Sequence, residues 1–299
     1  MNKKYKDNLA GYFFISPWIF GFLVFTLGPI LFSLYASFTN YNITSQMDFI
    51  GLDNYSRLFK EDELFYTSMM NTLYFVLFSV PLTTIGAILL SLMLNQDVPG
   101  MRVFRTIYYL PAVLSGVGVY LLWMQLLDPS TGLVNTVLSF FGIDGPNWLL
   151  DPAWTKPSLI FMKLWSVGGS MLLYLASLQG VSKSLYEAAD IDGANRFQKF
   201  RHITLPMITP IIFFDIITST IGAFQIFQEA YVMSSDGAGS PSNSLLFYNL
   251  YMWIKAFRAF DMGYAMAMSW ILFVIVLIIT IINLKLAPRW VHYEGGDQS

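Results

Sequence analysis

Side chains able to do acid–base or binding chemistry are sparse in this sequence, and they gather in one place. The stretch from Leu185 to Pro206, LYEAADIDGANRFQKFRHITLP, carries Glu187, Asp192, Arg196, Lys199, Arg201 and His202 between two of the most apolar runs of the chain. Inside the apolar runs the ionisable groups of interest are Lys163, Asp215 and Glu229. The only two histidines, His202 and His292, fall outside those runs, so a membrane-embedded hydrolase or transferase lacks the converging set of ligands and bases it needs. There is no cysteine, which excludes disulfides, thiolate–zinc clusters and thiol catalysis. No Gly-x-x-x-x-Gly-Lys-Ser/Thr loop occurs, so nothing here cradles nucleotide phosphates.

The charged insert reads as two short helices. Ser184 three residues ahead of Glu187 fits a capping box, which would start a helix there. Glu187, Ala188 and Ala189 are strong helix formers, and Gly193 permits the positive-φ turn that ends the helix. Ala194 to Ile203 is again helix-compatible, with Phe197, Phe200 and Ile203 on one stripe. Pro206 is expected to open the next apolar span, where its missing N–H costs nothing. The result would be a small-residue knob formed by Ala188, Ala189, Asp192, Gly193 and Ala194. An amphipathic loop resting on lipid headgroups through its basic residues is the competing reading.

What positions this insert is a membrane bundle. Hydrophobic residues make up 55% of the 299 and charged residues 12%, far from the balance of a soluble domain. A net charge of −2 leaves no basic excess for nucleic acid. Six apolar runs have the length of about 20 residues that a helix needs to cross the hydrocarbon: 12 to 36, 70 to 94, 106 to 127, 158 to 180, 207 to 229 and 264 to 287. The reading is therefore all-α, a single transmembrane domain over 1–299, with a loop at 182–206. Pro17, Pro29, Pro81, Pro111 and Pro210 predict kinks in these helices and not breaks. The first run is too long for a signal peptide and reads as a retained anchor. Eleven of the seventeen Lys and Arg, among them Lys3, Lys4 and Lys6, fall on one side if the N-terminus is inside. The positive-inside rule then puts both termini and the insert in the cytoplasm. The long outer loops run roughly 37 to 69, 128 to 157 and 230 to 263.

Helical spacing gives two stripes with a small or polar character. On the fifth run Asp215, Ser219 and Gly222 align, with Ala223 beside them; on the fourth, Met162, Trp165, Ser166 and Gly169 do so. Trp165 offers a face for stacking on a ring. Such stripes equally describe a close packing seam, with Asp215 at the cytoplasmic interface. Gln225, Gln228 and Glu229 are further polar groups toward the outer end.

The spacing of Glu187-Ala188-Ala189, then Gly193, then Ile203-Thr204-Leu205-Pro206 resembles the "EAA" loop of inner-membrane permease subunits of ATP-binding-cassette importers. SPWIFGFLVFTLGPILFSLYASFTNY, GLDNYSRLF, RTIYYLPAVLSGV, YEAADIDGA with FRHITLPMITP, and YMWIKAFRAFDMGYAMAMSWILF extend the resemblance over nearly the whole chain, toward the carbohydrate branch similar to maltose and glycerol-phosphate permeases. GAGSPSNS departs from the Gly-Gly-Pro run common before the last span, and the chain looks like the minimal six-span form. The resemblance implies a type I importer fold in the bacterial cytoplasmic membrane. It implies as partners a second homologous permease subunit, two cytoplasmic ATPase subunits that bind ATP and Mg, an extracytoplasmic solute-binding protein, a carbohydrate and membrane lipid. The insert would dock in a cleft of the ATPase, with Glu187 as cap or as ion-pair partner. The helices flanking it would line the sugar path. A glycerol-phosphate cargo is the runner-up, and Lys163 would be its only basic group. A secondary transporter is the alternative of another class, against which stands the lack of repeats and of recognisable broken helices.

Overall fold

A backbone surrounded by lipid must satisfy its own N–H and C=O groups, so long apolar runs become helices. The computed structural model describes residues 3–43, 47–114 and 116–292. Side chains are described from Tyr12 onward, so those of Lys3, Lys4 and Lys6, and Ser115 in the third expected span, lie outside the described residues. In chain order the helices are α1 (Lys3–Phe22), α2 (Gly28–Ala36), α3 (Asp53–Lys60), α4 (Glu63–Leu94), α5 (Met101–Val113), α6 (Val117–Leu126), α7 (Leu133–Phe140), α8 (Pro152–Trp165), α9 (Gly168–Gly180), α10 (Lys183–Ile191), α11 (Arg196–Lys199), α12 (Leu205–Phe224), α13 (Gln228–Met233), α14 (Tyr248–Trp253) and α15 (Met262–Leu286). Among the described residues there is no strand, only an isolated bridge between Thr39 and Phe49.

Four helical stretches are long and apolar enough to cross a membrane: Tyr12–Ala36, Glu63–Leu94, Arg196–Phe224 and Met262–Arg289. Two further pairs reach that length only together. α5 and α6 meet at 105°, and α8 and α9 at 43°. Pro17, Pro81 and Pro210 stand inside unbroken helices, whereas the third and fourth runs, expected as single helices, are corrected to bent pairs. α5 stops three residues after Pro111, at Leu114 and Gly116, where Gly116 takes φ +92, and α8 stops at Trp165. The expected start of the fifth run at Pro206 is corrected too. The helix runs continuously from Arg196 through a wider turn at Phe200–Thr204, and it ends at Phe224.

The chain forms two compact units, Met1–Asp62 with Met252–Val274, and Glu63–Tyr251 with Ile275–Ser299. In the first, α1, α2 and the turn joining them present Trp18, Phe20, Phe25, Leu31 and Phe32 outward, as suits contact with lipid. A polar knot holds its non-helical part. Asn54 Nδ2 donates to the Ser37 and Thr39 carbonyls at 2.9 and 2.8 Å. The Arg57 guanidinium lies 4.0 Å from the Tyr264 ring centre and pairs with Asp261, while the Tyr264 hydroxyl donates to Asp62. Gly263 is required here, since a Cβ would lie 2.2 Å from the Thr39 carbonyl oxygen.

In the second unit α4, α9 and α12 pack around Ala87, Leu94, Met171, Tyr174, Leu178, Ile208 and Ile212. α4 ends where Arg105 Nε and Nη2 donate to the Leu94 carbonyl at 3.1 and 2.8 Å, a cation closing the negative end of a helix. α9 enters the charged insert and α12 leaves it, so this three-helix core holds both ends of the loop.

Candidate functional site

The insert folds as a helix–turn–helix whose turn is set by one glycine. α10 ends in a Schellman motif: Gly193 takes φ +77, its N–H donates to the Asp190 carbonyl at 3.1 Å, and the Ala194 N–H donates to the Ala189 carbonyl at 2.9 Å. Asn195 then caps α11 in a capping box with Gln198, the two bonds measuring 2.9 and 2.7 Å. Tyr186 bonds Thr204 at 2.9 Å and Lys199 pairs with Asp190, which fixes α10 against the start of the next helix. The capping box expected at Ser184–Glu187 is not formed. The N-cap is Ser182, without a side-chain cap bond, so Glu187 falls too far into α10 to reach the free amides. Glu187 is exposed and makes no hydrogen bond among the described residues.

The tip of this motif is apolar and uncovered. Ile191 is 88% exposed and Phe197 67%, beside exposed Ala188, Asp192 and Gly193 and half-buried Ala189 and Ala194. A shallow hollow between them is lined by Ala189, Asp192, Gly193, Ala194, Gln198 and His202. Leu205 packs on the three-helix core and Pro206 is half-buried beside it.

The second feature is a pair of cavities where helices break. The first, ≈ 230 Å³, is lined by Pro111, Leu114 and Gly116 at the α5/α6 break, Trp165 and Ser166 at the α8/α9 break, and Ile226 and Glu229 at the α12/α13 break, with Tyr120, Trp123 and Met162 between. Interrupted backbone at membrane depth is tolerated where it lines such a space. Trp123 stands edge-on to both Trp165 and Phe161, with ring centres 5.6 Å apart in each case. Lys163 Nζ lies 3.0 Å from Glu229 Oε1, and Tyr120 lines the same cavity as this pair. The second cavity, ≈ 270 Å³, shares Phe75, Lys163 and Ser166 with the first and adds Thr83, Ser170, Ser219, Gly222 and Ala223.

The two sequence stripes thus meet around these cavities in part. Met162, Trp165 and Ser166 line the first, and Ser166, Ser219, Gly222 and Ala223 the second. Gly169 lines neither; a Cβ there, as on Gly222, would meet nothing within 4 Å. The close helix approach is made by the neighbouring Gly168, whose Cβ would lie 2.4 Å from the Tyr108 carbonyl oxygen. Gln225 and Gln228 are exposed around the α12/α13 break. Asp215 is 3% exposed and lines neither cavity. Its carboxyl accepts from Ser170 Oγ at 2.7 Å, Tyr174 Oη at 2.7 Å, Thr84 Oγ1 at 3.2 Å and Ser219 Oγ at 3.4 Å. Sequence reasoning missed Tyr120 and Trp123, which share no helical stripe with the other lining residues. It named Lys163 only as the one basic group open to a phosphate cargo, and only the break that turns Glu229 back toward α8 reveals the pair.

Known proteins resemble the chain over almost its whole length. Residues 8–292 match the family described as binding-protein-dependent transport system inner membrane component. The chain is 44% identical over 295 residues to "Probable ABC transporter permease protein YesP" of Bacillus subtilis (strain 168), covering 98% of this chain and 95% of that one. It is 37% identical to the lactose transport system permease protein LacF of Rhizobium radiobacter, with 94% of each chain covered. A subunit of a bacterial alginate ABC transporter, solved in complex with an alginate pentasaccharide-bound periplasmic protein, superposes with a TM-score of 0.84 at 29% identity and 96% coverage of both chains.

Proposed function

This chain belongs to the family of inner-membrane components of binding-protein-dependent transport systems, and on that premise we propose that it is the permease subunit through which an ATP-driven importer passes a carbohydrate, most simply a neutral oligosaccharide. It is a multi-pass membrane protein, and each bent helix pair counts as one span in this reading, giving six spans with both termini and the α10–α11 motif cytoplasmic. A second, homologous permease completes the path. Two ATPase subunits bind and hydrolyse ATP with Mg and receive the motif, and an extracytoplasmic solute-binding protein delivers the sugar.

The observation that carries the coupling role is the apolar tip. Ile191 and Phe197 stand exposed at a turn rigidified by Gly193, the Asn195 capping box and the Asp190–Lys199 pair. Exposed apolar groups on an ordered motif favour a protein partner over headgroups, and small neighbours Ala188 and Ala189 let its surface approach. Glu187, free of any cap role, is available to a basic side chain of that partner. Closure of the ATPases around ATP would then move α9 and α12, which carry the motif.

A carbohydrate cargo is supported by the relatives named for lactose and alginate transport and by the cavity chemistry. Trp123 and Trp165 offer faces and edges for sugar rings, while Tyr120, Lys163, Glu229, Ser166 and Ser219 offer donors and acceptors. A glycerol-phosphate cargo is disfavoured because Lys163 is already neutralised by Glu229, which leaves no basic pocket. The decisive experiment replaces Gly193. Gly193→Val forces a β-branched residue into a left-handed turn and should cost about 1–2 kcal/mol of local strain. Gly193→Asn tolerates that conformation. In proteoliposomes the Val variant should assemble yet lose binding-protein-stimulated ATP hydrolysis, and the Asn variant should keep it. Full stimulation in the Val variant would rule out docking through this turn.

A further inference from the structure

We infer that Asp215 is a positioning residue that fastens the two helices flanking the coupling motif to each other, so that motion of the motif reaches the cavities as one rigid displacement. The inference rests on the docking reading above and goes beyond it by naming the internal link.

Asp215 lies ten residues into α12, so about 15 Å along the helix from Leu205 at its start. Between it and the motif lies the apolar packing of Leu178 on α9 with Ile208 and Ile212 on α12. Helices packed in lipid lack a hydrophobic drive toward each other, because the tails are as apolar as the side chains, so hydrogen bonds across the seam add to what packing alone provides. The carboxyl fixes the register. It takes hydroxyls from both sides of the seam: Ser170 and Tyr174 from α9, Ser219 from its own helix one turn on, and Thr84 from α4. Two of these donors, Ser170 and Ser219, also line the second cavity. The cluster therefore stands between motif and cavity and touches the cavity wall directly. A buried intramembrane carboxyl is costly enough to need a role, and no cation faces it among the described residues, which leaves hydrogen-bonded fastening as that role.

A hydroxyl both donates and accepts, so an amide of the same shape can keep the link while an alanine cannot. The test reads coupling without needing the cargo. In the cysteine-free chain, a single Ser166→Cys reports from the wall shared by both cavities, and its maleimide labelling rate is compared with and without ATP and vanadate in the assembled complex. The expected result is that Asp215→Ala assembles and its complex still hydrolyses ATP, but the ATP–vanadate change in labelling shrinks about fivefold, while Asp215→Asn keeps the parental response. A parental response in Asp215→Ala with Gly193→Val unresponsive would remove the link alone. A parental response in Gly193→Val would remove the docking reading beneath it. If Asp215→Ala fails to assemble where Asp215→Asn succeeds, the cluster serves assembly and not coupling. If Asp215→Asn is as unresponsive as Asp215→Ala, the charge and not the hydrogen-bond geometry is what matters. Either result overturns the proposal.

Discussion

Asp215 and the Lys163–Glu229 pair are two solutions to one problem, an ionisable group held among apolar helices. Asp215 is closed off at 3% exposure and satisfied by four hydroxyls from three helices. The pair opens on cavities, with the Lys163 side chain 43% exposed and that of Glu229 14%. The closed cluster has no spare bonding capacity for a cargo, which suits a fastening. The open pair can exchange its partners for those of a ligand, which suits a site that must bind and release. Position follows the same division, since the closed cluster lies where α9 and α12 run side by side and the pair lies where helices break.

The largest effect should come from splitting the pair on its more buried side. Lys163→Met leaves the more buried Glu229 without its cation and should cost about 2 kcal/mol, whereas Glu229→Gln leaves a lysine that water can reach and should cost about 1 kcal/mol. Thermal unfolding of the purified complex ranks them, and equal losses would break the contrast drawn from exposure. A smaller effect is expected from the aromatic wall. Trp165→Ala removes the edge contact with Trp123 and should weaken uptake of a labelled neutral oligosaccharide by about 1 kcal/mol of binding, with assembly intact. Parental uptake would move the path away from the first cavity.

The smallest effect concerns a hydroxyl-held carboxyl in water, the counterpart of Asp215 outside the spans. Burial works against ionisation of Asp236, but the Ser234 and Ser240 hydroxyls, each at 2.6 Å, and the Ala238 and Ser240 amides hold it below the ordinary carboxylate range. Because the folded value lies below the unfolded one, the stabilisation is complete above about pH 4 and fades only in stronger acid, as pH falls through the folded value. Proteolytic nicking of the loop 234–240 should therefore stay constant from pH 8 to about pH 5. A rise in nicking within that window would show that the hydroxyls do not hold the carboxylate.

The same Asp236 network organises the GAGSPSNS segment. Gly239 at φ +107 is packed so closely that a Cβ would lie 2.7 Å from Leu246 Cβ. Nothing in the local spacing announces that contact, because Leu246 is seven residues away and enters through the fold of the loop. The Schellman turn at Gly193 was legible for the opposite reason, as every bond in it joins residues within five of one another.

Sequence alone determined that the chain is helical and apolar enough to live in lipid, where its charged insert lies, and that Gly193 turns it. Those properties depend on composition and on bonds between near neighbours. Only the tertiary structure decided where helices break, that Lys163 is answered by Glu229, and that Asp215 faces four hydroxyls instead of an interface. The ion pair and three of the four hydroxyl contacts join residues from tens of positions apart, and a polar residue on an apolar helix carries no mark of which distant neighbour will satisfy it. The capping box shows the limit at short range as well. Ser184–Glu187 and Asn195–Gln198 both have the spacing, and α10 starting at Lys183 left the first pair inside the helix.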